Sequence, residues 1–137
     1  MSCIEKTVVR TDQAPKAIGP YSVAIQANGF VYTAGQIGLI PETGVLVEGG
    51  IEAETRQALT NLKTILEAAG SCLGCVVKTT VFLKDMNDFA AMNGVYGQFF
   101  TENYPARSAF MVAGLPKGAM VEIECVALLC GEDCDCK

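Results

Sequence analysis

Residues 76–101 read VVKTTVFLKDMNDFAAMNGVYGQFFT, and two periodicities meet in them. Val76 to Lys84 is rich in β-branched residues and is bounded by Gly74 and Asp85, which predicts a strand. From about Asp88 to Thr101 the apolar residues Phe89, Met92, Val95, Tyr96, Phe99 and Phe100 recur at helical spacing, with Asn87 or Asp88 available as the cap. Gly94 and Gly97 stand inside that helix at a cost of about 1 kcal/mol each against alanine, which a close approach of another backbone would explain.

Toward the N-terminus, Thr55, Ala58, Leu59, Leu62, Ile65, Leu66 and Ala69 predict a first helix over Ile51 to Ala69, stopped by Gly70. Glu52 with Arg56, and Lys63 with Glu67, sit four apart on its polar side. Before it, Tyr21 to Ala27 and Phe30 to Gly35 read as strands joined at Asn28-Gly29, a dipeptide that tolerates positive φ at both positions. A short extended stretch is expected at Thr7 to Arg10 and another at Val45 to Val47. Toward the C-terminus, Arg107 to Ala113 and Ala119 to Leu129 read as strands, with Leu115-Pro116-Lys117-Gly118 expected to join them as a hairpin. Residues 130–137 are expected to form a loose cysteine-rich tail.

The order β-β-β-α-β-α-β-β describes an α+β chain of 137 residues, a length that suits one domain. Two helices cover one face of a mixed sheet of about six strands. Along the last strand Val121, Ile123, Cys125, Ala127 and Leu129 alternate with Glu122, Glu124, Val126 and Leu128. Its far half is apolar on both faces, so the face away from the helices is expected to meet neighbouring subunits.

Half of the residues are apolar and 18% are charged, which excludes a disordered chain. A mean hydropathy of +0.32 with no run near the ~20 apolar residues of a membrane helix again points to a subunit interface. The first ten residues hold no signal-peptide core, so a cytoplasmic location is expected. The net charge of −5 argues against a nucleic-acid partner. There is no histidine, which removes the Ser-His and Cys-His nucleophile systems. Cys72 and Cys75 form one cluster and Cys130, Cys134 and Cys136 a second; their spacings match no common zinc site, so idle reduced thiols and no metal are expected.

Two places carry chemistry. Arg107 is one of three arginines and the only charge between Glu102 and Lys117. An arginine entering a buried strand needs an anion. That anion is either Glu122 or Glu124 in a structural ion pair, or a substrate carboxylate held by two parallel hydrogen bonds. Glu122 and Glu124 share one face of the last strand. They are either a solvent-facing pair or, among apolar neighbours, carboxylates raised toward neutral pH for acid–base work. Gly35-Gln36-Ile37-Gly38 lacks the spacing of a dinucleotide loop.

In combination the motifs resemble one family. Ala17-Ile18-Gly19-Pro20-Tyr21-Ser22, Tyr32-Thr33-Ala34-Gly35-Gln36-Ile37-Gly38, Val77-Lys78-Thr79-Thr80-Val81-Phe82-Leu83 with Asp85-Met86-Asn87-Asp88-Phe89, Tyr104-Pro105-Ala106-Arg107-Ser108, Leu115-Pro116-Lys117-Gly118 and Val121-Glu122-Ile123-Glu124 follow the RidA (YjgF) pattern in order, from about residue 5 to 129. The resemblance implies a chorismate-mutase-like α+β fold (bacillus type), a homotrimer with clefts between subunits, and no cofactor. It implies hydrolysis of the enamines and imines of 2-keto acids, 2-aminoacrylate and 2-aminocrotonate with their imine tautomers, to keto acid and ammonia. It assigns the carboxylate to Arg107 and the water to Glu122. Gly35 would give backbone contacts, Tyr21, Phe89 and Asn93 would wall the cleft, and Pro116 would close one side. Ala34 stands where many members have serine, which would leave that hydroxyl's role to water or Thr33. Ala109 stands in the substrate site where some have cysteine. A non-catalytic keto-acid sensor and the ribonuclease or translation-inhibitor role attached to this family are the competing readings.

Overall fold

The computed structural model describes residues 5–130, so all but the first residue of the cysteine-rich tail lies outside the described residues. Six strands form one sheet: β1 (Lys6–Val9), β2 (Ala24–Ala27), β3 (Phe30–Thr33), β6 (Val76–Leu83), β7 (Ala106–Met111) and β8 (Val121–Leu128), in the order β1-β2-β3-β8-β6-β7. Helix α1 (Gly50–Ala68) and helix α2 (Phe89–Phe99) pack together on one face. The mixed six-stranded sheet with two helices is the expected α+β architecture. Among the described residues no helix is long and apolar enough to cross a membrane.

The core follows from the two periodicities. Helix α1 buries Thr55, Ala58, Leu59, Leu62, Ile65 and Leu66. Opposite them lie alternate sheet residues, Val81 and Leu83 from β6 and Val121, Ile123 and Ala127 from β8, all fully enclosed. Each of the valines, leucines and isoleucines among them contributes about 1.5–3 kcal/mol for leaving water. Helix α1 ends where Gly70 takes φ +83. Helix α2 is preceded by a 3-10 turn, Met86–Asp88, and the cap comes from Asp85, whose carboxylate accepts the Asn87 amide at 2.9 Å, rather than from Asn87 or Asp88.

The expected hairpin of the last two strands does not form. β7 runs parallel to β6 at the sheet edge, after a crossover through α2, and β8 inserts between β3 and β6. The turn itself is real, a 3-10 turn at Pro116–Gly118 with Lys117 at φ 57. A turn does not choose a strand's partner. β8, whose buried side chains alternate along its whole length, needs neighbours on both edges. β7, with four of six residues exposed, suits an edge. Val45–Leu46 (β5) pairs with Leu39–Ile40 (β4) in a separate ribbon. Tyr21 lies before the strand predicted to contain it, which starts at Ala24.

The face away from the helices carries large apolar residues that no described residue covers. Tyr32, Phe110 and Leu128 are each more than two-fifths exposed, and Phe110 meets Phe82 edge-to-face at 5.2 Å.

Candidate active site

Arg107 sits on the edge strand with its side chain on the helix side. Its register partner Thr79 is fully buried and bonds the Tyr96 hydroxyl at 2.8 Å. The guanidinium Nη1 donates to Asn93 Oδ1 at 2.7 Å. Its carbon lies 4.8 Å from the Tyr96 ring centre and 5.5 Å from that of Phe89. Phe89, Asn93 and Tyr96 are spaced i, i+4, i+7 on α2, so one helix face holds the cation by a hydrogen bond and two π faces. Among the described residues no carboxylate pairs with Arg107, and the ion pair with Glu122 or Glu124 does not exist within the chain. A cleft of about 400 Å³ opens beside it, lined by Asn93, Tyr96, Gly97, Tyr104, Pro105 and Arg107. A Cβ added at Gly97 or Gly94 would meet nothing within 4 Å, so these glycines admit no backbone of this chain and leave the space open.

Glu122 stands on the bare face of β8. Gln36 and Ile123 exchange backbone hydrogen bonds at 2.8 and 3.0 Å, which presses Gly35 against the Glu122 side chain. A Cβ at Gly35 would stand 2.8 Å from Glu122 Cδ and 3.1 Å from Oε2. Only glycine leaves the carboxylate in this position. The pair opens into a small pocket of about 50 Å³ that also includes Tyr21 and Pro116. Tyr21 is held by its phenol oxygen, which accepts the Ile18 amide at 3.3 Å. Half-burial raises the Glu122 pKa above the ordinary carboxylate value, and the neighbouring Glu124 charge raises it further.

Helix α1 positions both loops around this pocket. Asn61, fully buried, donates to the carbonyls of Ile37 and Leu39 at 3.3 and 2.9 Å. Glu54, also buried, accepts the Met120 amide at 2.9 Å. These two side chains tie down the loops on either side of Glu122. Their polarity on an otherwise apolar helix face is the sequence signal that marks them.

The predicted residues therefore fall into two groups. Tyr21, Gly35, Pro116 and Glu122 gather in one pocket; Phe89, Asn93 and Arg107 gather at the other. Ala109 shares the Arg107 face of β7 but packs against the core and does not line the cleft. Thr33 cannot take over a hydroxyl's role beside Glu122, because its Oγ1 accepts the Cys125 amide at 3.0 Å on the buried side. Tyr96, read from the sequence as core, is a wall of the arginine site. Burial of Cys125 pushes its thiol up to about 12, which keeps it unreactive. Two larger hollows, of about 600 and 520 Å³, contain neither Arg107 nor Glu122, so size does not locate this chemistry. The structure also joins the two cysteine clusters, bringing Cys130 against Cys72 and Cys75.

The six-stranded sheet backed by two helices is matched by the Endoribonuclease L-PSP family model over residues 11–129. Within that class the chain belongs to the RidA (YjgF) family. It is 56% identical to a RutC family protein of Pyrococcus horikoshii over 89% of this chain and 97% of that one. It is 51% identical to human 2-iminobutanoate/2-iminopropanoate deaminase, covering 93% of each. Among solved structures it superposes on RidA from an Antarctic Psychrobacter with TM-score 0.86 at 47% identity, covering 89% and 98%. It superposes on Escherichia coli TdcF with bound serine with TM-score 0.85 at 43% identity, covering 89% and 98%.

Proposed function

We propose that this chain hydrolyses the enamines and imines of small 2-keto acids, releasing the keto acid and ammonia, in clefts completed between subunits of a homotrimer. The observation that carries this reading is the state of Arg107: a guanidinium held by Asn93 and two rings, with no carboxylate partner among the described residues, over an open cleft. A partly buried guanidinium beside an open cleft can bind an incoming carboxylate through two charge-assisted hydrogen bonds. The relative solved with bound serine supports a small carboxylate as the ligand class.

The reaction asks little of the protein. An enamine protonated at carbon becomes an iminium, and water adds to its carbon. The carbinolamine then loses ammonia as the C=O bond forms. Arg107 fixes the carboxylate, and so the orientation of the C=N bond. Glu122, with its pKa raised by half-burial, takes a proton from the attacking water and returns it to the leaving nitrogen. Gly35 gives the carboxylate of Glu122 its place, and Tyr21 and Pro116 wall the pocket. An RNA-cleaving reading gains no support from a chain of net charge −5 without histidine.

The test is direct. 2-Aminocrotonate is generated with a threonine dehydratase, and release of 2-oxobutanoate is followed. Acceleration over the spontaneous rate is expected. A keto acid bound tightly with no acceleration would replace the enzyme with a ligand sensor.

A further inference from the structure

A hydrogen bond links the arginine site to the interior of the sheet. Thr79 stands on β6, which is paired along both edges, with Arg107 of β7 and Cys125 of β8 as its register partners. It is 0% exposed. Its hydroxyl and the Tyr96 phenol oxygen are 2.8 Å apart, and either can donate. Tyr96 comes from α2, packs its ring against Phe100 at 4.7 Å between centres, and is itself only 6% exposed. The Arg107 guanidinium carbon lies 4.8 Å from the centre of the same ring. Strand β6, helix α2 and edge strand β7 therefore meet at one phenol.

The Asn93 hydrogen bond holds one nitrogen of the guanidinium, at 2.7 Å. A single bond leaves the fork free to turn about it, and the ring of Tyr96 limits that turn by lying against the cation. What keeps the ring there is its hydroxyl. Burial pushes the Tyr96 phenol above its ordinary pKa, against the lowering effect of the Thr79 bond and of Arg107, so it stays a neutral hydroxyl that needs a partner. A buried hydroxyl stripped of its partner is costly. The other partner within reach is water in the cleft that Tyr96 lines.

We infer that Thr79 and Tyr96 act as one positioning unit for Arg107: the Thr79 hydroxyl holds the Tyr96 ring against the guanidinium and out of the cleft, and so sets the direction in which the arginine offers its donors to a carboxylate. Thr79 touches no substrate, and its effect passes through Tyr96. The inference rests on the proposed function for its ligand class, a small 2-keto acid or the imine of one. It adds that affinity for this ligand is set from inside the sheet.

The test uses the full chain in its native assembly. Binding of 2-oxobutanoate is measured by calorimetry, and KM and kcat with 2-aminocrotonate. Thr79→Val keeps the side-chain volume and removes the hydroxyl. The stranded phenol turns toward the cleft, and Kd and KM should each rise roughly tenfold, about the worth of one hydrogen bond. Because the Glu122 pocket lies on the other face, kcat should stay within about threefold of wild type. Thr79→Ser restores the hydroxyl and should bind within about twofold of wild type. Tyr96→Phe keeps the ring but loses its anchor, and Kd should rise roughly threefold. Thr79→Val/Tyr96→Phe removes both hydroxyls and strands neither, so it should bind like Tyr96→Phe and tighter than Thr79→Val. Ile65→Val, in the core and away from the cleft lining, should melt earlier yet keep the wild-type Kd, which separates positioning from lost stability.

Thr79→Val with wild-type Kd and KM overturns the inference and leaves the deaminase reading intact. A double variant that binds more weakly than Thr79→Val does the same. Should Thr79→Val not fold, Tyr96→Phe with wild-type Kd overturns it. Wild type that binds the keto acid without turnover removes the deaminase reading alone, and the Kd series still decides the inference. Wild type with no affinity for 2-oxobutanoate overturns both.

Discussion

Arg107 and Glu122 project from opposite faces of one sheet. On β6, Thr79 is the register partner of Arg107 and Phe82 that of Glu122, three residues apart, and an odd separation reverses the face. One subunit therefore cannot bring both side chains to one small substrate, whereas a neighbouring copy on the apolar bare face could. The expected outcome concerns mixed assemblies. Arg107→Ala and Glu122→Gln should each lose most of the activity alone. Mixed in equal amounts through unfolding and refolding, they should regain up to about a quarter of wild-type activity, the share of interfaces that pair one intact residue of each kind in a cyclic trimer. No recovery, with mixed trimers confirmed by mass, would show that the two residues do not share a site across subunits.

The grip on the substrate rests on fork geometry. Arg107→Lys keeps the charge but loses the paired donors, and deaminase activity should fall roughly hundredfold. Asn93→Ala removes the 2.7 Å hydrogen bond that aims the guanidinium. A hydrogen bond to a charged group is worth about 1.5–3 kcal/mol, so a roughly tenfold or greater loss in kcat/KM is expected. Steady-state kinetics checks both, and an Asn93→Ala enzyme with wild-type kcat/KM would remove Asn93 from the site.

Gly35 offers a variant that separates function from stability. The added methyl of Gly35→Ala would strike the flexible end of Glu122, at 2.8 Å from Cδ, rather than backbone. The side chain can swing aside on a face that is open in the single subunit. Stability should change by less than about 1 kcal/mol. The carboxylate would then stand away from the attacking water, and displacements near 1 Å cost on the order of a hundredfold in rate. Urea unfolding and the deaminase assay together read this split. An active Gly35→Ala enzyme would detach Glu122 from the chemistry.

Local pattern made most of this molecule legible. The β-branched run at Val76 to Lys84 and the apolar stripe of α2 gave their elements to within a few residues, because periodicity reports which side of an element is buried. Strand partnership was not legible: Leu115 to Gly118 carries a genuine turn, yet β8 bypasses β7 because its buried side chains need two neighbours. The site showed the same divide. Arg107 stood out as a lone charge in an apolar strand. Tyr96 was hidden, since an aromatic in a helical stripe reads as core until its spacing from Phe89 and Asn93 is set against Arg107. Glu54 and Asn61 serve backbone groups in loops far along the chain, and nothing adjacent in sequence announces such partners. Cys130 likewise reaches Cys72 and Cys75 only through the return of β8.

The protonation of Glu122 should be visible in both stability and rate. Burial first, and the charge of Glu124 second, raise its folded pKa above the unfolded value. Between those two values the native chain binds the extra proton, so stability falls as pH rises through that window and the penalty persists at neutral pH. Glu122→Gln removes the penalty. It should unfold later than wild type at pH 7, by at most about 1 kcal/mol because the half-exposed group is screened by solvent, and the two proteins should converge in acid. Activity should move oppositely. The base works when deprotonated, so wild-type kcat/KM should climb with pH through the raised pKa, and Glu122→Gln should be slow and without that acidic limb. Thermal melts and kcat/KM measured over the same pH series test both halves. A Glu122→Gln protein less stable than wild type at pH 7 would contradict the electrostatic account, and an intact acidic limb in its rate profile would assign the proton transfer to another group.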